Sequence, residues 1–199
     1  MDLQLQQGDA LVVVDVQRDF VGGSLAVPDA EQVVPVLERY IACFRGKGLP
    51  IFATRDWHPA DHASFREHGG TWPAHCVAGT PGAEFVPGLT LGVDAIVVSK
   101  GTSRDTDAYS AFEGTHLDEM LKRAGIRRLF VGGLATDYCV LATVRDALDK
   151  GYGVFLLADA IRAADRKPGD GAFAVRTMLR LGAELLHEPE VDPRIRVHG

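Results

Sequence analysis

The sequence predicts a doubly wound α/β fold: a three-layer α-β-α sandwich around a mostly parallel, Rossmann-like sheet of about six strands. Three observations predict it. The strand-like apolar runs are continuous rather than alternating, as in strands covered on both faces. Amphipathic helical segments separate most of these runs. Polar, chemically competent residues then cluster where the runs end, at the edge where such sheets place their ligands.

Taken in order, the first strand is Ala10–Val14, and it runs into Asp15. Asp29 with Gln32 predicts a capping pair opening a helix through Val33, Val36, Leu37, Tyr40 and Phe44, closed by Gly46 and Gly48. The second strand, Pro50–Thr54, leads to Asp56 and His58, and the third, Ala95–Ser99, ends at Lys100. A weaker capping pair, Thr115 with Asp118, opens a helix over Leu117–Ala124 that Gly125 stops. The fourth strand, Arg128–Val131, meets a tight turn containing Gly132 and Gly133, and a helix from about Asp137 to Lys150 follows. A strand at Val154–Ala158, a helix carrying Phe173, Val175, Met178 and Leu179, and a short strand near Glu184–His187 complete the pattern. Two long loops, Asp56–Gly92 and Gly101–Gly114, interrupt it. Loops of that length in a compact domain are usually functional.

The 199 residues suit one domain spanning 1–199, and 46% hydrophobic with 24% charged residues is ordinary globular composition. A net charge of −6 without a basic cluster argues against nucleic acid or an anionic membrane as the main partner. Three cysteines with no CxxC pair fit a reducing compartment better than a disulfide framework. The N-terminal MDLQLQQGDA has neither a basic nor an apolar leader region, and no run approaches a membrane span. The expectation is a cytoplasmic protein.

Cys139 is the most suggestive residue, because a thiol at a helix start beyond a strand meets a favourable dipole and free N–H groups. Alone, it reads as well as a buried packing thiol, Asp15 as a turn-capping carboxylate and Lys100 as a solvated lysine. Parallel neighbouring strands would bring all three to one sheet edge. Together they make a nucleophile, a base and a cation favouring their charged forms. The segment RDWHPADHASFREHGGTWPAHC holds a second group. Asp56 and His58 would project to one side of an extended segment and His75 could fold back to them. Two imidazoles and a carboxylate suit a catalytic zinc, iron or manganese. His62, Glu67 and His68 are further candidates, with His68 read as an unliganded surface histidine.

The segments VVVDVQRDFVGGSLAV, TRDWHPADHASF, WPAHCVAGTPGAEF, KGTSRDTDAYSAFEG and GGLATDYCV, in this order, closely resemble the nicotinamidase branch of the isochorismatase-like cysteine hydrolases. The likeness spans about Ala10 to Ala160. It implies a catalytic triad of Asp15, Lys100 and Cys139, and one divalent metal, zinc before iron or manganese, on Asp56, His58 and His75. It also implies a cis peptide at Leu134–Ala135, an oxyanion hole from the Ala135 and Cys139 N–H groups, and a substrate pocket of Phe20, Leu25, Trp72, Tyr109 and Leu134. Relatives differ in a fourth ligand, which leaves His62 and Glu67 open. The implied reaction is hydrolysis of nicotinamide, and of pyrazinamide-like analogues, to the acid and ammonia through a thioester, in NAD salvage, by a homo-oligomer. Related enzymes acting on another amide or carbamoyl compound are the alternative, with a catalytically silent binding module behind them.

Overall fold

A computed structural model describes residues 4–187. Six strands form one sheet: β1 (Asp9–Val14), β2 (Ile51–Asp56), β3 (Ile96–Lys100), β4 (Arg128–Leu134), β5 (Gly153–Arg162) and β6 (Glu184–Leu186). All pairs are parallel, in the order β3-β2-β1-β4-β5-β6. The chain winds outward from β1 to β3, then returns to β4 on the other side of β1. The order therefore switches between β1 and β4, and a crevice opens at their carboxyl ends.

The described residues include five α-helices: α1 (Arg18–Val21), α2 (Val33–Gly46), α3 (Leu117–Arg123), α4 (Leu141–Asp149) and α5 (Asp170–Leu181). Leu37, Tyr40, Ile41 and Phe44 of α2 pack on one sheet face against Leu11, Val13 and Phe130. Leu121 of α3, Val144 of α4 and Met178 of α5 pack on the other, against Val12, Val14 and Val131. Successive strand residues thus serve opposite cores, which is why the apolar runs read as continuous. Among the described residues, no helix is long and apolar enough to cross a membrane.

Several local expectations change. Asp29 adopts a left-handed conformation, φ 54, and makes no capping bond; a single 3₁₀ turn, Ala30–Gln32, starts the segment instead. Thr115 Oγ1 does accept the Leu117 N–H at 3.3 Å, but His116 occupies the cap position and Asp118 bonds Lys122 and Tyr152. Phe173 and Leu179 of α5 stay 56% and 38% exposed, because Ala174 and Met178 form its inner face. The glycine pair is not a turn: β4 runs through both residues, with its register against β5 shifting there. Gly133 has φ +125, and a Cβ on it would lie 2.1 Å from the Val14 carbonyl oxygen. Only glycine lets β4 approach β1 so closely at the switch point.

Candidate active site and metal centre

Four adjacent strand ends deliver the site. Asp15 follows β1, Asp56 and Lys100 close β2 and β3 in direct register, and Cys139 lies just beyond β4. The cysteine is not at the start of a straight helix. It sits within a π-helical turn, Thr136–Val140, that leads into α4. The Ala135 carbonyl accepts from Tyr138 and Val140, both at 3.1 Å, the residues on either side of the cysteine. The Leu134–Ala135 peptide is cis.

Lys100 is the hub, only 1% exposed. Its Nζ lies 2.5 Å from Asp56 Oδ1, 2.9 Å from Asp15 Oδ2 and 3.5 Å from Cys139 Sγ, and it donates to the Ala108 carbonyl at 3.1 Å. Thr54 donates its hydroxyl to Asp15 Oδ1 at 2.7 Å. Asp15 Oδ2 faces Lys100 as an ion pair but has no aligned hydrogen-bond donor among the described residues, so it can still accept a proton. Ligand atoms of Asp15, Asp56 and Cys139 all lie within 4.8 Å of one another.

Burial dominates the electrostatics. It pushes the Cys139 thiol up; Lys100 pulls it down, Asp15 and Asp56 oppose that, and the thiol stays well above its ordinary range. Burial likewise raises Asp15, despite the neighbouring ammonium. At Asp56, burial is outweighed, chiefly by the Lys100 ammonium, which holds the carboxyl well below the usual carboxylate range. Burial would lower Lys100, but Asp15 and Asp56 keep it firmly protonated. The resting state is therefore an ammonium, a carboxylate and a neutral thiol beside a base of raised affinity for protons.

Ligand atoms of Asp56, His58 and His75 also lie within 4.8 Å of one another. His58 Nδ1 is 2.9 Å from the Gly101 carbonyl and His75 Nδ1 is 2.8 Å from the Pro73 carbonyl. A carbonyl only accepts, so each Nδ1 carries the proton and each Nε2 keeps a lone pair, the tautomer a metal ligand needs. Gly101 is required for this: at φ +60, any Cβ would lie 2.4 Å from the His58 ring. His62 does not join the set. Its Nδ1 pairs with Ser64 Oγ at 2.7 Å and its Nε2 with the Thr106 carbonyl at 3.2 Å, while its ring lies 4.2 Å from that of His58, tilted by 30°. Glu67 and His68 are exposed, in a 3₁₀ turn on the loop surface. Three protein ligands therefore fit a divalent ion.

Both groups open into a cavity of about 460 Å³, whose lining includes Asp56, His75 and Cys139. Phe20, Leu25, Trp72 and Tyr109 line it and supply apolar wall. The Trp72 indole donates to the Tyr109 hydroxyl at 2.9 Å, which fixes the two rings together. Leu134 does not reach the cavity: as the last residue of β4, it is fully buried in the α2-side core, and the next residue, Ala135, lines the wall. Tyr138 is a wall residue that the sequence reading missed, its ring edge-on to Trp72 at 5.3 Å. Tyr138 lies within the π turn and lines the cavity from there. The Arg166 guanidinium lies over the Trp72 ring, 4.7 Å from its centre, and just before it Asp137 accepts the Ala164 and Asp165 N–H groups at 2.8 and 3.0 Å. No motif signalled this long-range contact.

A family model, the isochorismatase domain, matches residues 9–188. The Escherichia coli nicotinamidase is 40% identical over 198 residues, covering 88% of this chain and 93% of its own. Among solved structures, the pyrazinamidase of Pyrococcus horikoshii in complex with zinc is 49% identical with a TM-score of 0.87, covering 90% of this chain and 99% of that one. PnC1 from L. infantum, in complex with nicotinate, is 34% identical with a TM-score of 0.88, covering 96% and 99%.

Proposed function

The chain belongs to the isochorismatase family, and within it we propose a nicotinamidase, a cysteine amidohydrolase converting nicotinamide to nicotinate and ammonia. One observation carries the reading: a buried Asp15–Lys100–Cys139 cluster and a separate Asp56–His58–His75 group share one aromatic-walled cavity. The first group is equipped for acyl transfer and the second for holding a ring.

Asp15 takes the Cys139 proton as the sulfur attacks the amide carbon; Lys100, 3.5 Å from Sγ, stabilises the emerging thiolate. The N–H groups of Ala135 and Cys139 receive the oxyanion, each such donor being worth roughly 3–4 kcal/mol of barrier. Asp15 returns its proton to the nitrogen as the C–N bond breaks, releasing ammonia and leaving a thioester on Cys139. Asp15, again a base, takes a proton from the incoming water as its oxygen attacks the thioester carbon; the C–S bond breaks, Asp15 returns that proton to the Cys139 sulfur, and nicotinate leaves. Phe20, Leu25, Trp72, Tyr109 and Tyr138 grip the ring and keep bulk water from the thioester. Asp56, His58 and His75 would hold a divalent ion, zinc by preference over iron or manganese, which supplies a Lewis-acidic position for the ring nitrogen. Pyrazinamide-like analogues keep such a nitrogen and fit the same reading. NAD salvage in the cytoplasm and a homo-oligomeric assembly, with no nucleic-acid partner, complete the proposal.

The test is ammonia release from nicotinamide by the zinc-loaded protein. Wild type should turn over and Cys139→Ala should not, with its circular dichroism unchanged. A folded, zinc-bound wild type that releases no ammonia sinks the proposal.

A further inference from the structure

We propose that Gln17 is a positioning residue, whose side chain replaces the β1–β2 ladder where β1 leaves the sheet and so holds Asp56 in place. Along this strand pair the Leu11 N–H donates to the Pro50 carbonyl at 3.1 Å and the Asp15 N–H to the Thr54 carbonyl at 3.2 Å. Continued in parallel register, the pattern would give Asp56 an acceptor in the Asp15 carbonyl and a donor in the N–H of residue 17. Neither bond forms. Asp15 turns left-handed at φ 48, and its carbonyl accepts the Gln17 N–H instead, at 2.8 Å. That turn is where β1 parts from β2 and Asp15 comes to face Lys100 and Cys139.

The Gln17 amide makes good the loss. Its Oε1 accepts the Asp56 N–H and its Nε2 donates to the Asp56 carbonyl, both at 2.8 Å, with a third bond from Nε2 to the Ala83 carbonyl at 2.9 Å. The side chain is fully buried. Asp56 in turn carries the carboxylate that pairs with Lys100 and His58 and belongs to one ligand group with His58 and His75. Gln17 thus ties the backbone behind the triad base to the backbone behind the metal ligand. No other side chain offers an acceptor and a two-hydrogen donor at this reach.

The inference rests on the preceding reading for its assay but not for its central measurement. Gln17→Met keeps the shape and loses every bond; Gln17→Glu keeps only an acceptor for the Asp56 N–H. In the full-length protein, zinc affinity by chelator competition and kcat per folded molecule are compared with wild type. Both should fall about tenfold or more in each variant, the usual size of a lost support behind a metal ligand. A purely structural role would lower the folded fraction and leave zinc affinity per folded molecule unchanged. Folded variants within about twofold of wild type in zinc affinity, or activity losses that only track the folded fraction, overturn the proposal. If Gln17→Met does not fold, Gln17→Glu decides. A wild type that binds zinc but hydrolyses no nicotinamide defeats the nicotinamidase reading, and zinc affinity still decides this one.

Discussion

A single ammonium carries most of the site's electrostatics. Lys100 is buried against two carboxylates and a thiol, so its removal leaves Asp15 and Asp56 facing each other without a cation. Breaking a buried charge cluster on one side costs about 3–5 kcal/mol. Lys100→Met should therefore lose stability of that order in urea denaturation, along with all turnover; an active variant of wild-type stability would contradict the role given to the ammonium. Asp15 sets the pH dependence. As the proposed base it must be ionised in the free enzyme, and burial raises its affinity for protons. Activity is then lost as pH falls through a value above the ordinary aspartate pKa of about 3.9. A kcat/KM profile whose acid limb lies at or below that ordinary value would show that another group is the base.

At the level of elements, the junction of β1 and β4 matters most, because the cysteine's position depends on how closely β4 can pass Val14. Gly133→Ala adds a Cβ 2.1 Å from the Val14 carbonyl oxygen at a φ of +125. Strain and overpacking of this kind cost roughly 1–3 kcal/mol each. The midpoint of thermal unfolding should fall by about 2–4 °C per kcal/mol for a chain of this size, and kcat should fall with it; an unshifted midpoint would refute the close-packing account. This junction also shows what the sequence could and could not reveal. Strand runs, helix runs and the order of chemical residues were legible, because burial on two faces leaves continuous apolar segments and functional side chains interrupt them abruptly. The strand-end order and the family resemblance pointed to Asp15, Lys100 and Cys139 and to Asp56, His58 and His75, which the structure gathers into two groups, and the resemblance pointed to Phe20, Leu25, Trp72 and Tyr109, which line the cavity. The path of the backbone around Cys139 was not legible. A π turn has the same composition as a helix start, and Gly132–Gly133 reads as a turn unless the neighbouring strand is known. Leu134 was misplaced and Tyr138 went unnoticed for that reason, and Gln17 went unnoticed because its partners lie 39 and 66 residues away.

The whole molecule joins a rigid sheet to one long loop through the metal group. Asp56 belongs to β2 and is fixed by the sheet, whereas His75 belongs to the segment between β2 and β3, where the regular elements among the described residues are two single 3₁₀ turns. That segment also carries Trp72, so an ion on the three ligands would pin the substrate wall as well as complete its own coordination. A ligand present at about a hundred times its dissociation constant stabilises the folded state by about 2.7 kcal/mol. For this chain length, that amounts to roughly 5–10 °C in the unfolding midpoint. Cys139, Lys100 and Asp15 depend instead on β1, β3 and β4, which close around their own core. Chelation should therefore lower the midpoint by that amount and abolish nicotinamide turnover, while Cys139 still reacts with a small alkylating agent at near the wild-type rate. Readded zinc should restore both losses. Turnover that survives complete metal removal would show that the aromatic walls alone position the ring, and an alkylation rate that collapses with it would show that the two halves of the site are not separable.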